Sequence, residues 1–487
     1  MSIKEDDDIW AGDLLGRKDD GIYLQRFIEN SYRMDTAHQN SFVLNINSEW
    51  GAGKTWFLER FAKQLKQNHP VIYFDAWKND FTKDPLTSLI AVICQGLEEQ
   101  FSGNATARKK VALVKKNALK FIKPSLPVVL AALAKHYTGI AFMESQDEED
   151  VDTDKSSAQD LSSSLTKIAA SEAMNSFHEQ KKGINDFITA IKVFVEHLRS
   201  VKGKDYLPIC IFIDELDRCR PTYAIELLEA VKHIFSIGGL FFIIAKDSKQ
   251  LAHSINAVYG QGFNSAAYLK RFFYTEYSLS TVDYDKMAIH LVSGFDFKNR
   301  IYLPSVYLDK VGIDGYFSMN SRFFQLTPRE QEQVFVNLKN CILSSDLDTL
   351  HYPYLLFLLS LKLKHEDLYK LLMEDKDSKE FAEFMKARGG IDNIYAGLTL
   401  GRTINRPHRK SNPENLNIPS VINFYIKLID KKHEELDGSS SSYMFQDEVM
   451  EELWKERKNE NLKGNNKTSI SSYFFLITQA GRLLKSQ

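Results

Sequence analysis

The stretch Asn45–Phe61, NINSEWGAGKTWFLERF, restricts the fold of this chain more than any other segment. Apolar residues run up to Asn47, a short loop follows, and Lys54 and Thr55 open a helical pattern. This is the layout of a strand–loop–helix unit in which loop N–H groups and the helix N-terminus surround phosphate oxygens. Gly51 and Gly53 stand where the backbone must approach the anion. Lys54 offers an ammonium to the β- and γ-phosphates, and the Thr55 hydroxyl a ligand to Mg²⁺. Ser48 departs from the usual G-x-x-x-x-G-K-[ST] pattern, at a strand exit where smallness matters more than the absence of a Cβ. The candidate nucleotide-binding segment is therefore Ser48, Glu49, Trp50, Gly51, Ala52, Gly53, Lys54, Thr55 and Trp56.

A second motif fits the first. LPICIFIDELDRCRP, residues 207–221, carries apolar residues straight into Asp214 and Glu215, as a buried central strand would. Ligands of open α/β sheets bind at that carboxyl edge. Asp214 is placed to hold Mg²⁺ through water, and Glu215 to orient and polarise an attacking water. The alternative is a pair of strand-end capping carboxylates facing solvent. AKDS at 245–248 lacks the spacer of the guanine-reading Asn-Lys-x-Asp signature, which favours ATP. Lys246 and Asp247 are either sensors of the γ-phosphate or a plain turn.

Five short β-like runs punctuate the first 280 residues, at 41–47, 70–75, 207–214, 239–245 and 273–279, with helical patterns between them. Alternation of this kind predicts a mostly parallel sheet covered on both faces. Residues 86–200 form a long insert: an amphipathic helix over 86–101, a lysine-rich one over 108–123, and an acidic, serine-rich segment over 144–163 that reads as a disordered loop. Beyond residue 285 helical patterns dominate, chiefly 329–345, 354–375 and 419–436. The expected fold class is α/β: a P-loop NTPase with a mostly parallel five-stranded sheet and a long helical insert (1–285), followed by an all-α C-terminal domain (286–487).

These motifs together resemble the KAP family of P-loop NTPases over roughly residues 10–285. The likeness rests on SEWGAGKT with Trp50, FDAWK with Trp77, IDELDRCRP with Asp217 and Arg218, and YLKRFF at 268–273. Lys270 stands where that family usually has an acid, and Arg271 at the following basic position. The resemblance implies ATP binding and hydrolysis with Lys54, Glu215 and a charge-stabilising Arg271 as the catalytic groups, Thr55 and Asp214 holding Mg²⁺, and a role in bacterial anti-phage defence beside protein partners. A surface or interdomain salt bridge is an equal reading for Arg271 and Arg218. Many relatives carry transmembrane helices between the two motifs, whereas the insert here has no apolar run near the roughly 20 residues that span a bilayer.

Composition narrows the remaining classes. Hydrophobic residues at 44% and charged residues at 26% suit a globular chain, and a formal net charge of −2 leaves nucleic-acid contact to a local patch. The candidates for such a patch are 108–123, which would also suit an anionic membrane surface, and GRTINRPHRK at 401–410. Four cysteines lack zinc-type spacing, and the acidic N-terminus has no secretory pattern, so a cytoplasmic protein with reduced thiols is expected. His351, His365, His408 and His433 are scattered and read as surface or packing residues. The readings that survive are an ATP-driven switch, a nucleotide-held scaffold that does not hydrolyse, and an ATPase acting on nucleic acid. A homo-oligomer is compatible with each.

Overall fold

The computed structural model describes residues 9–34, 42–82, 84–122, 182–201, 203, 206–234, 237–273, 275–279, 282–297, 299–309, 311–388, 417–436, 444–456 and 468–482. The acidic stretch 144–163 and the basic loop 401–410 lie outside them. The chain divides into two compact units, one of Met1–Asp13, Arg17–Trp50 and Lys54–Ser280, the other of Leu14–Gly16, Gly51–Gly53 and Thr281–Gln487.

The first unit runs α1 (Arg17–Met34), β1 (Phe42–Asn47), α2 (Lys54–Lys66), β2 (Val71–Asp75), α3 (Pro85–Phe101), α4 (Ala105–Ile122) and α5 (182–201). It continues with β3 (Ile209–Asp214), a 3₁₀ turn (Leu216–Arg218), α6 (Pro221–Ile234), β4 (Leu240–Lys246), α7 (Ser248–Tyr259), α8 (Ser265–Leu269) and β5 (Thr275–Ser278). All five strands are parallel, in the order β2-β3-β4-β1-β5. Each falls within one residue of its expected run, apart from the shorter β5 and the later start of β3.

β3 and β4 are buried along their whole length because both faces are covered. Their side chains alternate between two cores. Ile209, Ile211 and Ile213 with Leu240, Phe242 and Ile244 join the core beneath α3 to α6, while Cys210 and Phe212 with Phe241, Ile243 and Ala245 join that of α1 and α2. The lysine-rich α4 buries Ala107, Val111, Val114 and Ala118, and Lys115 pairs with Glu98 at 2.6 Å. Its lysines are thus the solvated side of a packed helix. Among the described residues no helix is long and apolar enough to cross a membrane. All four cysteines are buried free thiols.

The second unit gathers its helices around Tyr352–Lys364, whose residues Tyr352 to Leu361 are all buried. A helix apolar on every side belongs in a core. The expected helix over 354–375 is two, broken at His365 (φ −142°, ψ 67°), after which Glu366 and Asp367 favour the N-terminus of the next. A two-stranded parallel ladder, Ile301–Tyr302 with Leu350–His351, adds a β element that the helical patterns conceal. His351 packs wholly inside: its Nδ1 lies 3.1 Å from the Tyr425 hydroxyl, and its N–H donates to Tyr473 at 2.6 Å. His365 is half-buried against the Phe384 ring at 4.9 Å.

Candidate active site

The strand-to-helix turn after β1 sits at the carboxyl edge of the sheet. The Ser48 N–H donates to the Lys246 carbonyl at 3.3 Å, tying the loop to the end of β4. Gly51 and Gly53 have φ of +79° and +84°, which glycine adopts without strain. Among the described residues only Glu215, Asn299 and Gln325 are non-glycines with positive φ, so Ser48 takes a conformation open to any L-residue. Its Cβ meets no backbone penalty, and the missing first glycine does not distort the loop. The Lys54 Nζ donates to the Ser48 carbonyl at 2.7 Å and lies 3.9 Å from Asp217 Oδ2.

The carboxylates of β3 close on the same place. The Thr55 hydroxyl donates to Glu215 Oε1 at 2.9 Å, and the Tyr73 hydroxyl to Asp214 Oδ2 at 2.8 Å. Asp214 is 1% exposed, and burial raises its carboxyl above the usual range against the hydrogen bonds from Tyr73, the Glu215 N–H and Thr55. Burial likewise raises Glu215, and the Asp214 charge adds to this, while Thr55 and Arg218 oppose it. Glu215 occupies the left-handed region (φ 60°, ψ 26°), a strain of order 1–3 kcal/mol that the surroundings must hold. Its Oε2 pairs with Arg218 Nε at 2.5 Å, and the Arg218 guanidinium lies 5.9 Å from the Trp77 ring centre. A cavity of about 620 Å³ opens beside Thr55, Tyr73 and Asp75.

Sequence reasoning missed Tyr73. It lies on the neighbouring strand two positions before Asp75, which is in register with Asp214, and only that register brings its hydroxyl across. Asp247 accepts from the Trp50 N–H at 3.1 Å while capping α7 through the Lys249 and Gln250 N–H groups. Burial lowers the Lys246 ammonium to about 8, against the nearby Glu276, Asp217 and Asp247, and its Nζ lies 4.2 Å from the Phe273 ring centre.

Other expected residues lie differently. Glu49 pairs with Lys249 at 2.6 Å on the surface. Trp56 packs into the second core, 6.0 Å from Trp10 and under Arg60. Arg271 is exposed in the turn after α8, where its N–H donates to the Tyr268 carbonyl at 3.1 Å. No ion pair holds its side chain among the described residues.

The model of the KAP family P-loop domain matches residues 26–277, more than half of the chain. No curated protein matches it. Among solved structures, PCH-2 of C. elegans is similar at 10% identity over 75% of this chain and 73% of its own, with a TM-score of 0.29. The ORC2 protein of Aeropyrum pernix, solved as ADPNP–ADP complexes, is similar at 11% identity over 85% and 84%, with a TM-score of 0.30.

Proposed function

The chain belongs to the KAP family of P-loop domains, and from that premise we propose that it binds Mg·ATP and hydrolyses it as a cytoplasmic molecular switch. One observation carries the proposal. The Thr55 hydroxyl, in the first turn of α2, converges with the Asp214–Glu215 pair at the carboxyl end of β3, donating to Glu215 Oε1 at 2.9 Å. The donor set suits Mg²⁺. Asp214 is buried, raised by that burial, and answered by neutral donors alone among its hydrogen bonds. Magnesium is commonly bound through one or two carboxylates plus substrate phosphates. When bound, the ion supplies charge compensation to the phosphate oxygens.

The chain's own residues do the rest. Lys54 leaves the Ser48 carbonyl for the β- and γ-phosphates, and the loop N–H groups hold the phosphate oxygens. Glu215, released by Thr55, orients a water and takes up its proton; a carboxyl raised toward neutrality is the better acceptor. Arg271, exposed after α8, enters as the charge-stabilising arginine. The family resemblance, which includes bacterial phage-exclusion proteins, extends the proposal to anti-phage defence through protein partners.

A nucleotide-held scaffold is the second reading, favoured by one feature: Thr55 and Arg218 engage both Glu215 oxygens. Magnesium-dependent phosphate release, with nucleotide affinity followed in parallel, separates the two. Under the proposal Lys54→Ala loses binding and turnover, while Glu215→Gln binds ATP and does not turn it over. Unchanged affinity in Lys54→Ala would overturn the nucleotide reading, and binding without turnover in the wild type would favour the scaffold.

A further inference from the structure

The turn after β3 carries a second carboxylate to which the proposed hydrolysis assigns no step. Asp217 is 6% exposed. Its Oδ2 accepts the indole N–H of Trp50 and lies 3.9 Å from Lys54 Nζ, while its Oδ1 is buried with no hydrogen-bond partner among the described residues. A carboxylate withdrawn from water and left part-satisfied is unfavourable in a fold unless something else requires it. The hydrogen bond and the ion pair it makes both lead to the phosphate loop.

Trp50 sits in the middle of that loop and is held at two points. Its side chain reaches the turn after β3, and its backbone N–H reaches Asp247 at the end of β4. The ring itself is 48% exposed, so burial of its apolar surface does not fix it. The glycines at 51 and 53, which the loop needs for its positive φ, also give it more conformations to lose on meeting a ligand. Ordering a loop before binding removes that cost from the affinity.

We infer that Asp217 is a positioning residue for the phosphate loop, holding the Trp50 indole and the Lys54 ammonium so that the loop is shaped for a nucleoside triphosphate before one binds. The inference rests on the nucleotide reading above and deepens it. The Arg218 pair on Glu215 belongs to the water-activating side, whereas this tether belongs to the phosphate-binding side, so the two are separable by measurement.

The test is a double-mutant cycle of Trp50→Phe, which keeps the ring and removes the indole N–H, with Asp217→Asn, which removes the charge at constant shape. Two quantities are read: hydrogen exchange of the amides between residues 48 and 55 in the nucleotide-free protein, and affinity for non-hydrolysable ATP. A hydrogen bond to a charged group supports a change of roughly tenfold or more. Each single change should speed exchange of those amides and weaken the ATP analogue by about that factor, and the double should do no worse than the larger single. Additive effects, exchange unchanged in Trp50→Phe, or a tighter analogue in either variant would overturn the inference. Wild-type protein that binds no nucleotide would overturn the parent reading, while the exchange arm still decides whether Asp217 holds the loop. If Asp217→Asn impairs folding, Trp50→Phe alone, at a half-exposed position, still decides through its exchange and its affinity.

Discussion

Tyr73→Phe probes whether Asp214 holds the magnesium ion. The change deletes one hydroxyl and keeps the ring, which stacks on Phe212 at 5.9 Å between centres. What is lost is the 2.8 Å hydrogen bond to Asp214 Oδ2. A hydrogen bond to a charged group contributes about 1.5–3 kcal/mol. Partners of metal ligands change metal affinity by roughly 10- to 100-fold when removed. The two agree, since about 1.4 kcal/mol is a factor of ten. The phenol stays protonated, because burial and the Asp214 charge raise it, so it acts as a donor throughout. It stabilises the ionised carboxylate. Without it Asp214, already raised by burial, rises further, and the pH below which magnesium affinity falls moves upward.

The assay is calorimetric titration of Mg²⁺ into protein with a non-hydrolysable ATP analogue, on either side of neutrality. The expected result is weaker magnesium dependence by roughly one to two orders of magnitude, larger at the acidic pH, with metal-free nucleotide affinity unchanged. Magnesium dependence equal to wild type at both pH values would refute the assignment of Asp214.

Three further predictions follow from the same geometry. Burial raises Glu215 and the Arg218 charge pulls it back, so Arg218→Gln should move the acid limb of the pH–rate profile to higher pH; a limb that stays or moves down would show that the pair does not govern Glu215. Burial brings Lys246 from 10.5 to about 8, so between those values the unfolded chain binds the extra proton and stability rises with pH, by on the order of 3 kcal/mol in all. Lys246→Met should flatten that rise in urea unfolding, and an unchanged slope would place its source elsewhere. Gly53→Ala meets a φ of +84° and should cost about 1–3 kcal/mol of loop strain, seen as weakened ATP binding, whereas Ser48→Gly should leave affinity near wild type. A large gain in Ser48→Gly would show that the serine does impair the loop.

Much of the first unit was legible because its signals are local. An apolar run of strand length closed by two carboxylates, or a small-residue loop before Lys54 and Thr55, is written within a few consecutive residues. The break at His365 and the Leu350–His351 ladder were not legible, since apolar content on every side of a core helix hides where it stops and a two-residue strand has no period. The apolar face of α4 was legible from helical spacing, and Val111, Val114 and Ala118 are buried on it with the lysines on the solvated side.

Local patterns suffice to say that strands alternate with helices, that a phosphate-type turn follows the first strand, and that Asp214 and Glu215 stand at the end of a buried one. The order β2-β3-β4-β1-β5, the register of Asp75 against Asp214 that aims Tyr73, and the meeting of Trp50 with Asp217 across 167 positions of chain emerge in the folded molecule alone. The reason is physical. Periodicity and turn chemistry act through neighbours along the backbone, whereas strand order and register arise from pairing between segments whose separation no local pattern encodes.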